Sequence, residues 1–462
     1  MCCLPAHGLG WGFRFSIRPP QKIYFATMIG ADEHAHVKSP VCLDIIIVGA
    51  GLSGLATAIS TALSGHNVSV FESAKELQEF GAGVQITPNA SRLLQKWQLS
   101  ETFWKTASMP SYMAIRRYSD GKLLSLDEDM GKTVISRYGS PMFAVHRVDL
   151  HLALANRAKE LGVKLRLGQR VTGIDFATAS IQTEAGIKAN ADLIVAADGI
   201  WSTCRQLIQD IKDFPWSTGD LAYRTVLAID EIEDPELREM VQEPSTNVWI
   251  GPLAHAVAYS VRGGTMYNLV LIVPDDLPEG VRRQPGSSEQ MRALFNGWDP
   301  ILNRVLKVVK SVQKWKLMHR RELPAWVNDE SNCVFVGDSC HPMLPYLGQG
   351  ANSAIEDGAV LGLLLGSIQA REQVPKALRM YQDLRKARGE RIVKETLKQR
   401  DEWHLPNGPE QEARDEVFLS QLGKERKGPY PSRMTCPEVQ PWLFGYDAYR
   451  EVEEAVKKDP FC

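Results

Sequence analysis

No stretch of the chain is apolar over the roughly 18 residues that a membrane-spanning helix needs. Charge of one sign is also missing. The formal net charge is −2 and like charges form no block in the body of the chain, which argues against a nucleic-acid partner. The cysteines (Cys2, Cys3, Cys42, Cys204, Cys333, Cys340, Cys436 and Cys462) are scattered and make no C-x-x-C pair. That spacing favours reduced intracellular thiols over a disulfide framework, and no metal ligand set is expected. No internal repeat occurs. Acidic residues are absent before Asp32, whereas Arg14, Arg18 and Lys22 are present. Residues 1–27 therefore suit a mitochondrial presequence. The plainer reading is an extension ahead of a start at Met28, with a cytoplasmic protein as the expectation.

What remains is the composition of a soluble globular protein, 44% hydrophobic and 23% charged. At 462 residues the chain is long for one hydrophobic core, so one large or two closely joined domains are expected. Its most patterned stretch is Leu43 to Ala74. Ile45 to Val48 is too short for a helix and β-branched enough for a buried parallel strand. Gly49, Gly51 and Gly54 then give G-x-G-x-x-G, helical spacing follows through Ala56, Ile59 and Leu63, and a second strand, Val68 to Phe71, ends at Glu72. Alone, the glycines are weak evidence. With strand, glycines, helix, strand and carboxylate in register, the stretch reads as a dinucleotide-binding unit. The pyrophosphate would sit at the helix N-terminus and Glu72 would bond a ribose.

Further on, a glycine loop from Phe80 to Ala90 leads into a helix whose inner face holds Leu93, Leu94 and Trp97. Antiparallel strands are expected around Asp120-Gly121, and a helix that opens at His146 to Leu150 and runs through Leu161. From about Trp216 to Trp326 helical signals give way to alternating strands, which reads as an inserted sheet forming the floor or wall of a substrate site. α/β character returns at Cys333 to Asp338, followed by a helix from Asn352 and a long charged helix from about Pro375 to Arg400.

Two more strand ends carry a glycine beside an acid, Asp198-Gly199 and Gly337-Asp338. Singly each is an ordinary turn. Together with G-x-G-x-x-G they suggest one nucleotide held along its length, with the helix after Gly348 to Asn352 aimed at a polar ring edge. This set resembles the single-component FAD-dependent aromatic monooxygenases of the para-hydroxybenzoate hydroxylase superfamily. The run from Gly337 through Gly350-Ala351-Asn352 to Asp357 is similar to salicylate hydroxylase, and the Trp442 to Tyr446 tail is similar to the fungal hydroxylases of phenolic polyketides.

The resemblance implies an α/β fold: a Rossmann-type FAD-binding domain with an inserted antiparallel β-sheet substrate domain and a helical C-terminal region. The corresponding division is an N-terminal extension (1–42), the first part of the FAD-binding domain (43–215), the substrate sheet (216–326), the second part of the FAD-binding domain (327–400) and a C-terminal region (401–462). It implies FAD as cofactor and NAD(P)H and O2 as co-substrates. NAD(P)H would reduce the flavin, oxygen would add to it as a hydroperoxide, and one oxygen atom would pass to a small aromatic, phenolic substrate. Gly49, Gly51 and Gly54 would contact the pyrophosphate, Glu72 the ribose, and Arg147 the phosphates. Asp338 would hold the ribityl chain, and Gly83, Gly350, Ala351 and Asn352 would lie along the cofactor. Arg147 has a plainer reading as a solvated helix-start residue, and Asp198 either supports the fold or assists NAD(P)H.

Catalytic candidates lie on the inserted sheet. Arg224 would stabilise a phenolate or bind a carboxylate, unless it is a solvated strand residue. His255 and Tyr259 share a strand face at i and i+4 and would look into the same pocket, although a single His is more often structural. Tyr346 would pack over the flavin, Gln85 would approach it, and His341 reads as structural. The rivals are an epoxidase or hydroxylase of an alkaloid or terpenoid intermediate, a non-catalytic flavin-binding protein, and a plain NAD dehydrogenase. Monomer or homodimer is left open.

Overall fold

The computed structural model describes residues 36–77, 81–209 and 213–461; the presequence reading of residues 1–27 lies outside them. Asp44–Val48 is the buried parallel strand its β-branched run calls for, at the centre of a five-stranded sheet. The order is Cys333–Phe335, Leu193–Ala196, Asp44–Val48, Asn67–Phe71, Lys164–Arg166, and every pairing is parallel. Register brings Val48 opposite Ala196, and Ala196 opposite Phe335. The three glycine signals therefore leave the same edge of the sheet, the C-terminal edge at which open α/β sheets bind ligands.

The second sheet has eight strands, in the order Arg283–Gly286, Val312–His319, Trp216–Ala228, Met266–Pro274, Ala254–Val261, Ser245–Gly251, Tyr112–Arg117, Leu123–Asp127. Two features depart from the sequence reading. The hairpin around Asp120-Gly121 belongs to this sheet, and it joins through a parallel pairing of Tyr112–Arg117 with Ser245–Gly251. Helices Pro235–Gln242, Ser288–Leu294 and Pro300–Val308 also lie inside the segment expected to be strands. They are short and begin on Asp234, Ser287 and Asp299, whose side chains accept the N–H groups of Leu237, Gln290 and Ile301. Alternation divides the sheet's side chains. Leu221, Tyr223, Ala256, Ala258, Leu269 and Leu271 are buried with Leu237, Met291, Phe295 and Leu302 of these helices. Ala222, Arg224, Val257, Tyr259, Val270 and Ile272 fall on the opposite face.

The helix after the glycine loop, Leu52–Leu63, packs along the whole of Gly350–Ser367. A stripe of glycines four residues apart permits the approach. A Cβ at Gly358 would lie 2.5 Å from the Thr57 nitrogen, and one at Gly362 would lie 2.2 Å from Ser60 Oγ. At that range Ser60 Oγ donates to the Ala359 carbonyl and Ser64 Oγ to that of Gly362.

Gly350–Ser367 is joined to the long helix Val374–Trp403 by fully buried charges. Arg385 reaches Asp357 at 2.8 Å and Glu356 at 2.6 Å, and Arg388 meets Glu356 at 2.8 Å. His341 Nε2 closes on Asp357 at 2.5 Å, with its ring stacked on Trp326. Burial works to raise the Asp357 carboxyl, but His341 and Arg385 overcome it and hold it at about 2. Burial likewise works to lower His341, and Asp357 raises it above 6.5. His341 is thus structural.

These shifts set signs for stability against pH. A raised imidazole stabilises fully below its unfolded value near 6.5 and ceases to as pH rises through its folded value. Asp357 stabilises above its unfolded value near 3.8 and ceases to as pH falls toward 2. His341→Gln should cost about 3 kcal/mol of stability at pH 6, on the scale of breaking a buried pair. In denaturant titrations the gap to the wild type should narrow as pH rises from 6.5 through the folded value of His341.

Candidate active site

Gly49, at φ +104°, has no room for a side chain: a Cβ would lie 2.5 Å from the Ala197 carbonyl oxygen. Gly54 is tighter, 2.0 Å from the Gly49 oxygen. Gly51 is different. Nothing lies within 4 Å of the position its Cβ would take, and it begins a helix with no side-chain cap and no acid in the first turn. Two glycines hold the turn and the third opens it to a ligand at a bare helix N-terminus. The same combination recurs at Gly350, which is also open and starts an 18-residue helix with no side-chain cap. Both cradles fit the anionic and ring-edge parts of FAD.

Glu72 accepts the N–H groups of Ala50 (2.8 Å) and Ala74 (2.7 Å), so it braces the glycine loop from the end of its strand. Asp338 is exposed and yet set deep among protein groups, which places it on the floor of a cleft. That burial raises its carboxyl, against the charges of His341 and Arg147, and no described residue hydrogen-bonds its oxygens. Arg147 is the first residue of Arg147–Glu160, and its charge acts on both Asp338 and Arg224. Asp338, Arg147 and Arg224 therefore lie within reach of one another's charge.

Some side chains in this set face protein. Asn352 accepts the Thr87 N–H at 2.9 Å and donates to the carbonyls of Gln85 and Gly348, so it fastens the two glycine turns together and leaves the backbone of the first turn, at Gly350 and Ala351, toward the cleft. At Gly83 the space is taken by Tyr259 and Asn268, and its N–H donates to Asn268 Oδ1 at 2.6 Å. This glycine seats the substrate sheet. Gln85 donates to Thr246 Oγ1 beside the Gly348 turn. Asp198 accepts the Cys204 N–H, an anchoring role.

On the sheet, Arg224 is half-buried, with its guanidinium 5.5 Å from the Trp315 ring. No described carboxylate pairs with it, its Nε is buried without a partner, and burial lowers its pKa. A desolvated cation without an anion calls for a negatively charged ligand. Tyr259 is buried within reach of Arg224's charge, and burial raises its phenol, so the hydroxyl stays protonated at neutral pH. Val257, Val270, Trp315 and Leu317 are half-buried nearby.

His255 lies on the same sheet face as Tyr259 but four residues along, about 13 Å away at strand spacing. Its neighbours are a group that sequence reasoning missed. Nδ1 shares a hydrogen with Nε2 of His404 at 2.7 Å, and Tyr346 and Trp403 rings lie 5.6 and 5.1 Å away. Tyr346 donates its hydroxyl to Asp220, which Arg400 also holds, at 2.5 and 3.0 Å. The helix end at 400–404 is thereby fastened to the sheet and to the turn before Gly348. His404 sits in an unremarkable W-H-L-P context, and no local pattern marks it.

Comparison with known proteins gives the family and the fold. The model of a family described as FAD binding domain matches residues 42–396. The chain is 48% identical over 417 residues to FAD-dependent monooxygenase OpS4 of Beauveria bassiana (strain ARSEF 2860), covering 90% of this chain and 97% of that protein. It is 30% identical to 3-hydroxybenzoate 6-hydroxylase of Polaromonas naphthalenivorans (strain CJ2), covering 88% and 97%. Among solved structures, a salicylate hydroxylase substrate complex has the same fold, with a TM-score of 0.72 at 23% identity over 91% of this chain and 98% of that one. No helix among the described residues is long and apolar enough to cross a membrane.

Two substitutions separate the glycine roles. Gly51→Val should fold with an unchanged apo-protein melting temperature and purify without yellow colour. Gly54→Val should give no soluble folded protein. Flavin absorbance and thermal unfolding check both.

Proposed function

The chain belongs to the FAD binding domain family, and from that premise we propose that it is an FAD-dependent monooxygenase that uses NAD(P)H and O2 to hydroxylate a small aromatic compound bearing one acidic group. The observation that carries the substrate reading is Arg224, a half-buried guanidinium whose Nε is buried without a partner and with which no described carboxylate pairs. Val257, Val270, Trp315 and Leu317 supply apolar surface around it, and the Arg283 guanidinium, 5.0 Å from the same Trp315 ring, adds positive charge. A single phenolate or carboxylate on an apolar ring is the complementary shape.

Bound FAD supplies oxygen chemistry that side chains lack. The chain's own groups do the rest. Arg224 orients the acidic group and lowers the energy of its anion, which makes a phenol ring more electron-rich. Tyr259, protonated, donates a hydrogen bond to the same region. The apolar residues exclude water from the reacting atoms. Asp338, Arg147 and the bare helix starts at Gly51 and Gly350 hold the cofactor.

The test is NADPH and NADH oxidation by the purified yellow protein across salicylate, 3-hydroxybenzoate, resorcylic aldehydes and indole, with product masses recorded. One acidic phenol should accelerate oxidation and gain one oxygen atom. Arg224→Ala should then raise KM for that phenol by about 10- to 100-fold, the value of a charged hydrogen bond, while FAD stays bound. Acceleration by neutral indole alone would overturn the acidic-aromatic reading and favour an alkaloid-type substrate. No acceleration with FAD bound would favour a non-catalytic flavoprotein.

A further inference from the structure

The sheet face that carries Arg224 is crossed by rows of register partners running inward from the edge strand Arg283–Gly286. One row is Arg283, Trp315, Ala222 and Ile272. The row two residues along is Pro285, Gln313, Arg224 and Val270. Alternation puts all of these side chains on the same side. Trp315 is the centre of this corner. The Arg283 guanidinium lies 5.0 Å from its ring centroid and that of Arg224 lies 5.5 Å away, and the two come from the strands on either side of it. Burial deepens along the first row. Arg283 and Trp315 are half-buried, whereas Ala222 and Ile272 are 2% and 1% exposed. Trp315, Val270 and Leu317 pack against Ala222, Ile272 and Leu344, which gives the corner an apolar floor.

The edge strand is anchored by its other face. Arg282 points away from Trp315, with its guanidinium 3.3 Å from the Trp201 ring, and its carbonyl accepts the Lys316 N–H at 2.9 Å. Trp201 follows Asp198-Gly199, so the cofactor-side unit fixes the direction in which Arg283 projects. Two guanidiniums that share one indole repel each other, and the charge of Arg147 acts on Arg224 as well. A flat anion answers both features. Its charge relieves the repulsion, and its ring stacks on the indole.

We propose that Trp315, between Arg283 and Arg224, is an outer subsite on which an aromatic anion rests while passing from the edge of the sheet to Arg224. This subsite rests on the phenol-hydroxylating reading above and places a point of capture ahead of the point of reaction. Arg283, at the margin, attracts the anion over about a Debye length, and Arg224 receives it on the more buried side of the ring. Their strands are two spacings apart, about 10 Å, a step that a single-ring molecule makes across one indole.

Stopped-flow mixing of the oxidised holoenzyme with the phenol that it hydroxylates separates the two places. Tryptophan quenching should come first, and a change in flavin absorbance should follow. Trp315→Leu should lose the fast quenching phase and keep the flavin change. Arg283→Gln should slow association about tenfold at low salt, and its kcat/KM should fall less steeply with added salt, while kcat holds. Arg283→Lys keeps the charge and should keep the salt dependence, a contrast that a merely structural role would not give. Wild-type association and salt dependence in Arg283→Gln, or a fast quenching phase that survives in Trp315→Leu, would overturn the subsite and leave the hydroxylase reading standing. So would a rise in KM for NAD(P)H alone in Arg283→Gln, which would assign this cation to the nicotinamide cofactor. A wild type that hydroxylates no phenol would overturn both.

Discussion

The buried contact of Arg385 with Glu356 and Asp357 is the constraint on which the site depends. It fixes the register of the long helix Val374–Trp403 against Gly350–Ser367. Through His341 it also fixes the turn that carries Asp338. Arg388 extends it to the tail, where its guanidinium lies 4.0 Å from the Tyr446 ring and donates to the carbonyls of Trp442 and Leu443. Four segments, the two helices, the turn that carries Asp338 and the tail, are tied to one group of charges. Such a group is not an efficient source of stability, because desolvating the ions offsets much of their attraction. Its value is geometric. A carboxylate left without its guanidinium there would cost several kcal/mol, so one arrangement of the two helices is strongly preferred.

Register has consequences at the far end of the same helix. From Arg385 to Arg400 is about four turns, some 22 Å at helical rise. Over that distance the ion cluster near the flavin-holding turn sets where Arg400, Trp403 and His404 fall on the substrate sheet. Asp220 and Tyr346 receive that end, one from the sheet and one from the turn before Gly348. Cofactor-holding and substrate-holding units are therefore braced against each other by a single rigid element. The glycine stripe does the same for the two helix starts, since Leu52–Leu63 and Gly350–Ser367 both point bare N-termini into the cleft and lie in direct contact.

How much of this was legible follows from the range of the interactions. Ile45 to Val48, the G-x-G-x-x-G turn and the helix after it are specified by neighbours in sequence, and they fold as read. The common edge of Gly49, Asp198-Gly199 and Gly337-Asp338 was legible because each signal ends an apolar run, and parallel pairing aligns the run ends. The helices of the substrate segment were missed, although Asp234-Pro235 and Asp299-Pro300 are helix-start signals, because alternating strands on either side dominated the pattern. The parallel pairing of Tyr112–Arg117 with Ser245–Gly251 had no signal, since nothing in either strand names its partner.

The site divides along the same line. Arg224 was singled out by resemblance, against a plainer reading as a solvated strand residue, but the absence of a described carboxylate beside it is a fact about the whole fold. His255 was visible and its partner was not, for His404 reaches it only because a 30-residue helix, set in register by charges near its middle, ends at that point. Tyr259 and Gly83 give the reverse case: two readings made separately meet in one contact, where the absent side chain of Gly83 is the space the tyrosine ring fills. Candidate cofactor residues are thus marked by spacing, whereas the surroundings of the candidate substrate-side residues depend on where rigid elements end.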